Sequence, residues 1–318
     1  MDKRIIWPDF CKFVAMFLVT WGHASQVISG QTFNNLLGGA TLVAVHMPLF
    51  FIISGYFINL EKMRIMPLMA FIKQKFVHYM LPAIVWTAIY CLLTLTPKGP
   101  LSFLTFYWYL FSLFLSNLII FLCSKMIKKN VWVILLSLVL VICLPYTDIG
   151  NLNFMLPFLW VGYLLRVFPP KHPVLFVVIA IAITIGLSQI WDWNYTVYLS
   201  RFNIAHITLE MLIKYIVRFA IGVSASYIII FISQKYDYKR TFVWLSRYGK
   251  YTLITYLVSL ALFGVMRKYI TIQIAQPGLL DVVSFVLCVL TYALSVNLQR
   301  LLIKNRYTRL LLLGITNE

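Results

Sequence analysis

Residues 7–28 read WPDFCKFVAMFLVTWGHASQVI, an apolar run of membrane-crossing length that nevertheless holds Asp9, Lys12 and His23. A helix needs around 20 apolar residues to cross the hydrocarbon of a bilayer. Ionisable side chains inside such a span are costly and mark functional positions. Lys12 and His23 are eleven residues apart. That is close to three helical turns, so both project from one face, about 16 Å apart along the axis. Asp9 lies one turn before Lys12 on the same face. One helix therefore carries an acid, a base and an imidazole in a polar line.

The rest of the chain has the same membrane character. Of its 318 residues, 62% are hydrophobic and 11% are charged, and the mean hydropathy is +0.88. A soluble protein carries roughly 25% charged residues. Ten apolar segments approach spanning length: 7–28, 38–58, 79–96, 103–124, 131–146, 153–168, 173–190, 208–232, 251–267 and 281–303. The expected fold is all-α: a polytopic membrane helix bundle of about ten transmembrane helices. It is expected to form a single integral-membrane domain over residues 1–318, with no fused soluble domain.

The formal net charge is +18, and the basic residues are unevenly placed. With a cytoplasmic N-terminus, twenty of the 27 basic residues fall inside, from Lys3 and Arg4 to Arg306 and Arg309, while Lys98, Arg201, Arg267 and Lys268 fall outside. Lys12, Lys214 and Arg218 are intramembrane. That bias follows the positive-inside rule and places both termini in the cytoplasm. Topology accounts for the basic balance, so no nucleic-acid partner is needed. No signal-peptide cleavage site follows the first apolar run. The five cysteines lie within or at the ends of spans, without disulfide or metal-ligand spacing. No metal site is expected.

Each polar feature has a structural and a functional reading. His23 either orients packing through a hydrogen bond or acts as a general base, since neutral imidazole accepts a proton from an attacking hydroxyl. No G-x-S-x-G elbow and no cysteine beside a base suggests a different nucleophile. The second span reads His46-Met47-Pro48-Leu49-Phe50-Phe51-Ile52-Ile53-Ser54-Gly55-Tyr56. Pro48 is expected to kink it or free a carbonyl, and Ser54-Gly55 admits a close backbone approach from another helix or a ligand. His46 and His23 both sit in the outer halves of their spans, where they are able to meet.

A basic cluster follows in the expected loop, at Lys73, Lys75 and His78. It is either ordinary positive-inside charge or a docking site for a phosphorylated cytosolic cofactor. Glu210, Lys214 and Arg218 recur every four residues on the eighth span. That stripe is a structural ion-pair ladder or the lining of an anionic-ligand cavity. Trp191, Asp192, Trp193, Asn194 and Tyr195 precede this span. They read first as interfacial anchors and second as a sugar platform, with Asp148, Asn151 and Asn153 on the same side.

These residues resemble the acyltransferase-3 family of membrane acyltransferases. Asp9, Lys12 and His23 match the acid, base and histidine of the family's first helix, and His46 to Tyr56 match its second-helix motif. Weaker likenesses follow at Trp108-Tyr109-Leu110, at Leu156 to Tyr163, and at Tyr248-Gly249-Lys250-Tyr251-Thr252-Leu253 with Tyr256-Leu257. Two positions depart from the pattern. Lys75 and His78 stand where the family often has two arginines, replacing planar forks by a point charge and an imidazole. Val258 and Ser259 stand where a late histidine commonly follows the Tyr-Leu pair.

The resemblance implies acyl transfer, usually of acetyl, from cytosolic acetyl-CoA to a hydroxyl of an envelope glycan, exopolysaccharide or lipid-linked sugar in a bacterial inner membrane. On that reading Lys73, Lys75, His78 and Lys12 hold the CoA phosphates, His23 is the base, and Asp9 restrains Lys12. Either Lys12 or His46 steadies the oxyanion. Glu210, Lys214, Arg218, Trp191 and Asp192 line the acceptor side. Expected partners are the acceptor, membrane lipids, a second copy of the chain or polysaccharide-assembly proteins. Two rivals remain: a flippase for a lipid-linked sugar, which implies inverted repeats with broken helices, and a non-catalytic assembly partner.

Overall fold

The computed structural model describes residues 5–30, 39–96, 99, 102–143, 151–191, 208–270, 274 and 276–316. Asp192, Trp193, Asn194, Tyr195, Asp148, Lys3, Arg4, Lys98 and Arg201 lie outside the described residues. All regular structure among the described residues is helical. The helices are α1 (Trp7–Ser29), α2 (Gly39–Tyr56), α3 (Leu60–Ile65), α4 (Leu68–Lys75), α5 (Leu81–Thr94), α6 (Ser102–Phe106), α7 (Trp108–Met126) and α8 (Asn130–Cys143). They continue with α9 (Leu152–Val167), α10 (Pro173–Ser188), α11 (Leu209–Lys235), α12 (Arg240–Gly249), α13 (Thr252–Tyr269), α14 (Pro277–Leu302) and α15 (Arg306–Leu313).

A helix occupies each of the ten apolar segments. Four described helices are long and apolar enough to cross a bilayer by themselves: Leu68–Thr94, Trp108–Met126, Leu209–Lys235 and Gly278–Leu302. A fifth crossing arises if α12 and α13, bent by 61° where they meet, count as one span. α2, α8, α9 and α10 are apolar but shorter. The chain is a multi-pass integral membrane protein.

One local expectation is corrected. Lys73 to His78 do not form a loop. α4 runs into α5 through a π-helical turn at Phe76–Met80, making one helical rod from Leu68 to Thr94. The apolar period continues through the basic residues: buried Phe71 and Met80 keep one face of the rod against the bundle.

α1 sits at the centre and packs on α2, α11, α12, α13 and α14. Its polar line is therefore enclosed by protein, as intramembrane ionisable groups require. α2 and α9 cross at two glycines. A Cβ on Gly55 would lie 2.6 Å from the Leu159 carbonyl carbon, and one on Gly162 would lie 2.8 Å from that of Ile52. Gly55 takes the helix-against-helix reading, since small residues let backbones touch, while Ser54 borders a cavity.

Several buried hydroxyls bond back to their own helices. Thr20 donates to the Met16 carbonyl at 2.9 Å, and Thr87 to that of Ala83 at 2.8 Å. Between helices, the Trp21 indole N–H donates to Ser284 Oγ and that of Trp160 to Ser137 Oγ, both at 2.9 Å. The outer surface is apolar instead: Val174, Leu175, Phe176, Val178 and Ile179 of α10 are all exposed. That is the surface a lipid-facing helix presents.

Candidate functional site

The start of α1 is fixed by three contacts. The Trp7 ring meets the Tyr56 ring edge-on with centroids 4.9 Å apart, tying α1 to the end of α2. Phe10 stacks on Phe242 of α12 at 4.4 Å. Gly249 presses on the backbone of Asp9, where a Cβ would lie 2.5 Å from the Asp9 carbonyl carbon. A larger residue at 249 would force α12 away from α1. The Gly-Lys pair is thus a packing device that delivers Lys250 beside the polar end of α1.

A cavity of about 550 Å³ opens at this end, enclosed by α1, α2, α3, α4, the π turn, α7 and α13. Roughly 300–1,000 Å³ is usual for a site that holds a small molecule or cofactor. Lys12, Lys62, Lys75, His78 and Lys250 line it. No Asp or Glu is among the described lining residues. Asp9 lies just behind Lys12, with 3.5 Å between carboxylate and ammonium. Among the described residues, Lys12 is the only one of these four lysines in an ion pair. Lys75 is held between the rings of Phe71 and Tyr79, 5.8 and 5.6 Å from their centroids. It lies within electrostatic reach of Lys62, and His78 within reach of both Lys75 and Lys12. Like charges gathered without carboxylates make a strongly positive chamber, suited to an anion.

Other basic residues at this end are used structurally. Arg64 donates to Glu61 at 2.6 Å and to the Asn130 side-chain oxygen at 2.7 Å. Lys125 donates to the Arg64 carbonyl at 2.5 Å, and Arg166 to the Ile58 carbonyl. These bonds clamp α3, α7, α8 and α9 together. In sequence the clamping and the cavity-lining cations look alike.

The inner wall of the cavity is formed by Met16, Met47, Phe50, Tyr109 and Tyr256, with Ser54 and Asn117 beside them. Lys62, Lys250, Tyr109 and Tyr256 are additions to the residues singled out by sequence. Only the weak Trp-Tyr-Leu, Gly-Lys and Tyr-Leu likenesses pointed to the last three. Lys73 is exposed and outside the lining.

His23 and His46 are also outside the lining, beyond its Met16–Met47 end. They are electrostatic neighbours, with Arg218 beside His46 and Arg267 beside His23. His46 Nδ1 lies 2.6 Å from the Leu42 carbonyl. A carbonyl only accepts, so Nδ1 carries the proton and Nε2 keeps its lone pair. His23 Nδ1 lies 3.1 Å from the Gln26 amide oxygen, which assigns the same tautomer. The polar line of α1 thus divides into a cationic chamber and a histidine pair.

The expected acceptor stripe is dispersed. Glu210 pairs with Lys214 at 2.5 Å on an exposed stretch of α11. Arg218 stacks on the Phe154 ring at 4.5 Å, turned inward toward His46. Trp191, expected as an interfacial anchor, is only 5% exposed and packs with Ala44, Val45, Val217 and Ile221. Its indole is large enough to fill the gap between α2 and α11, and burying it there outweighs an interfacial position.

A family model described as an acyltransferase domain, that of acyltransferase-3, matches residues 5–298. No curated protein and no solved structure matches the chain.

Proposed function

This chain belongs to the acyltransferase-3 family, and from that premise we propose that it moves an acetyl group from cytosolic acetyl-CoA to a hydroxyl of a cell-envelope glycan or lipid-linked sugar. The observation that carries this reading is the cavity that gathers Lys12, Lys62, Lys75, His78 and Lys250 without a carboxylate. Such a chamber suits the phosphates of a nucleotide-bearing donor, which point-charge lysines bind without the bidentate fork of arginine. On this reading the chamber and both termini face the cytoplasm, which the positive-inside bias supports, and the chain is a bundle of about ten spans in a bacterial inner membrane.

The pantetheine arm then extends along α1 past Met16 and Met47 to the histidine pair. His23 lies about 16 Å beyond Lys12, comparable to the extended arm. Its Nε2, unprotonated in this tautomer, takes the proton of the acceptor hydroxyl as the acceptor oxygen attacks the thioester carbon. Collapse of the tetrahedral adduct breaks the C–S bond, and the CoA thiolate recovers that proton. Lys12 is too distant to steady an oxyanion formed at His23. Arg218, which lies beside His46, takes that role in this proposal, because the Nδ1 proton of His46 is held by the Leu42 carbonyl and its Nε2 has none to donate. The acceptor reaches the pair from the opposite side of the membrane, near Arg267.

The test is transfer of radiolabel from acetyl-CoA to a glycolipid extract by purified protein in nanodiscs. Labelled glycan with wild type and none with His23→Ala is the expected result. Equal labelling by both proteins removes His23 as the base. Absence of acetyl-CoA binding by the wild type refutes the acyltransferase reading of the cavity.

A further inference from the structure

The chamber wall that carries His78 is built on a defect in the α4–α5 rod. At the π turn the Leu81 N–H reaches back five residues to the Phe76 carbonyl. Pro82 follows and has no N–H to give. An unbroken α-helix would give these two donors to the carbonyls of Val77 and His78. Both carbonyls thus lose their α-helical donors. Turns widened in this way recur at functional sites. Here the turn sets His78 on the chamber wall, exposed to the cavity and within electrostatic reach of Lys75 and Lys12.

α15 and Gly314 close over this defect from behind, and no residue of either lines the chamber. Gly314 presses on the same two carbonyls. A Cβ there would lie 2.5 Å from the Val77 oxygen and 2.9 Å from that of His78. Its φ of +62° is also one that L side chains rarely adopt, so only glycine fits. The Gly314 carbonyl in turn faces the His78 imidazole. A carbonyl only accepts, so it takes a ring N–H and restrains the ring. The strap is anchored on both sides. The Trp86 indole N–H donates to the Leu312 carbonyl at 3.1 Å, and Leu313 is buried. Thr308 donates to the Leu302 carbonyl at 2.6 Å, joining α15 to the end of α14. α15 lies beyond residue 298, where the family match ends.

We propose that Gly314 is a positioning residue for donor binding, which holds the π turn and the imidazole so that His78 meets the phosphates of the donor. The lysines of the chamber need no such help, because an ammonium on a flexible four-carbon stem finds a phosphate by itself. An imidazole is short and reaches only where its backbone and ring are aimed. α15 supplies that aim without touching the donor. This rests on the acyltransferase reading and extends its donor site to a segment outside the chamber.

The test is a double-mutant cycle on acetyl-CoA affinity in nanodiscs, independent of any acceptor. The proteins are wild type, Gly314→Ala, His78→Ala and the double variant. Gly314→Ala is expected to bind acetyl-CoA about 10-fold more weakly, the worth of one hydrogen bond to a charged group. His78→Ala should lose a similar factor, and adding Gly314→Ala to it should lose nothing more. Added to Lys250→Ala instead, Gly314→Ala should keep its full effect. Trp86→Phe, which keeps a ring but drops the Leu312 bond, is the milder variant. It should show a smaller loss with the same dependence on His78, and it decides the question if Gly314→Ala does not fold. Wild-type affinity in a folded Gly314→Ala overturns the positioning role alone and leaves the acyltransferase reading standing. Equal losses with and without His78 also overturn it, since they indicate packing only. Failure of the wild type to bind acetyl-CoA overturns the parent reading and the positioning role together.

Discussion

Substituting Ala for Gly55 should destabilise the protein, although Ala is the better helix former. The added Cβ would lie 2.6 Å from the carbonyl carbon and 2.7 Å from the Cα of Leu159. Carbon atoms prefer about 3.5–4.0 Å. All the obstructing atoms named are backbone, so no rotamer change relieves the clash, and α2 and α9 must separate by about 1 Å. A gap of that size forfeits a quarter to a half of each contact across it. The crossing includes fully buried Leu49, Ile52, Ile53, Leu156 and Leu159, so many contacts are lost. Overpacking of this kind costs about 1–3 kcal/mol or somewhat more, against a gain of about 1 kcal/mol in helix propensity. A net loss on the order of 1–2 kcal/mol follows.

Gly162→Ala should behave likewise, because its Cβ would lie 2.8 Å from the Ile52 carbonyl carbon in the same crossing. The double variant should then be much less destabilised than the sum of the singles, since one separation relieves both clashes. Gly186→Ala is the control: nothing lies within 4 Å of its Cβ, so it should be neutral or slightly stabilising. Thermal midpoints of the wild type and the four variants in one detergent, with monodispersity checked for each, are sufficient. Wild-type stability for Gly55→Ala, or strict additivity in the double variant, would refute the close-crossing argument.

Further outcomes follow from the site. His23→Ala should abolish transfer while leaving acetyl-CoA affinity and thermal midpoint near wild type; parallel loss of binding would place His23 in the donor chamber instead. Lys75→Ala and Lys250→Ala should each raise the KM for acetyl-CoA several-fold, more at low salt than at high, with Lys73→Ala near wild type; equal effects of all three would mean that only net charge matters. Trp191→Ala should lower stability by about 3 kcal/mol or more, as truncation of a buried aromatic does, without changing the acceptor KM. A raised KM at unchanged stability would return Trp191 to the sugar-platform role. Glu210→Gln should change neither activity nor melting temperature, because that carboxylate is exposed; loss of transfer would put it in the acceptor path.

What the sequence determined is set by local chemistry and periodicity. Long apolar runs can only be helices in lipid, where every backbone polar group must bond within its own segment, so the all-helical architecture was legible. The spacing of Asp9, Lys12 and His23 already put an ion pair and an imidazole on one helical face. The motif likenesses named the family that residues 5–298 match. The tertiary structure decided how those residues divide. Lys62 and Lys250 are nearly 190 positions apart yet line one chamber, while Arg64 and Lys125, equally basic, are spent on carbonyls and side-chain oxygens. A positive-inside count treats all four alike, because charge sets topology without specifying a contact. Trp191 is similar in kind: its composition suits an interface, and only the space between α2 and α11 buries it. Tyr256 was marked in sequence only by the weak Tyr-Leu likeness, and its place on the cavity wall depends on how α13 packs across the bundle. Helical period is a property of neighbours along the chain, but a cavity is made by residues that meet only after the helices have packed.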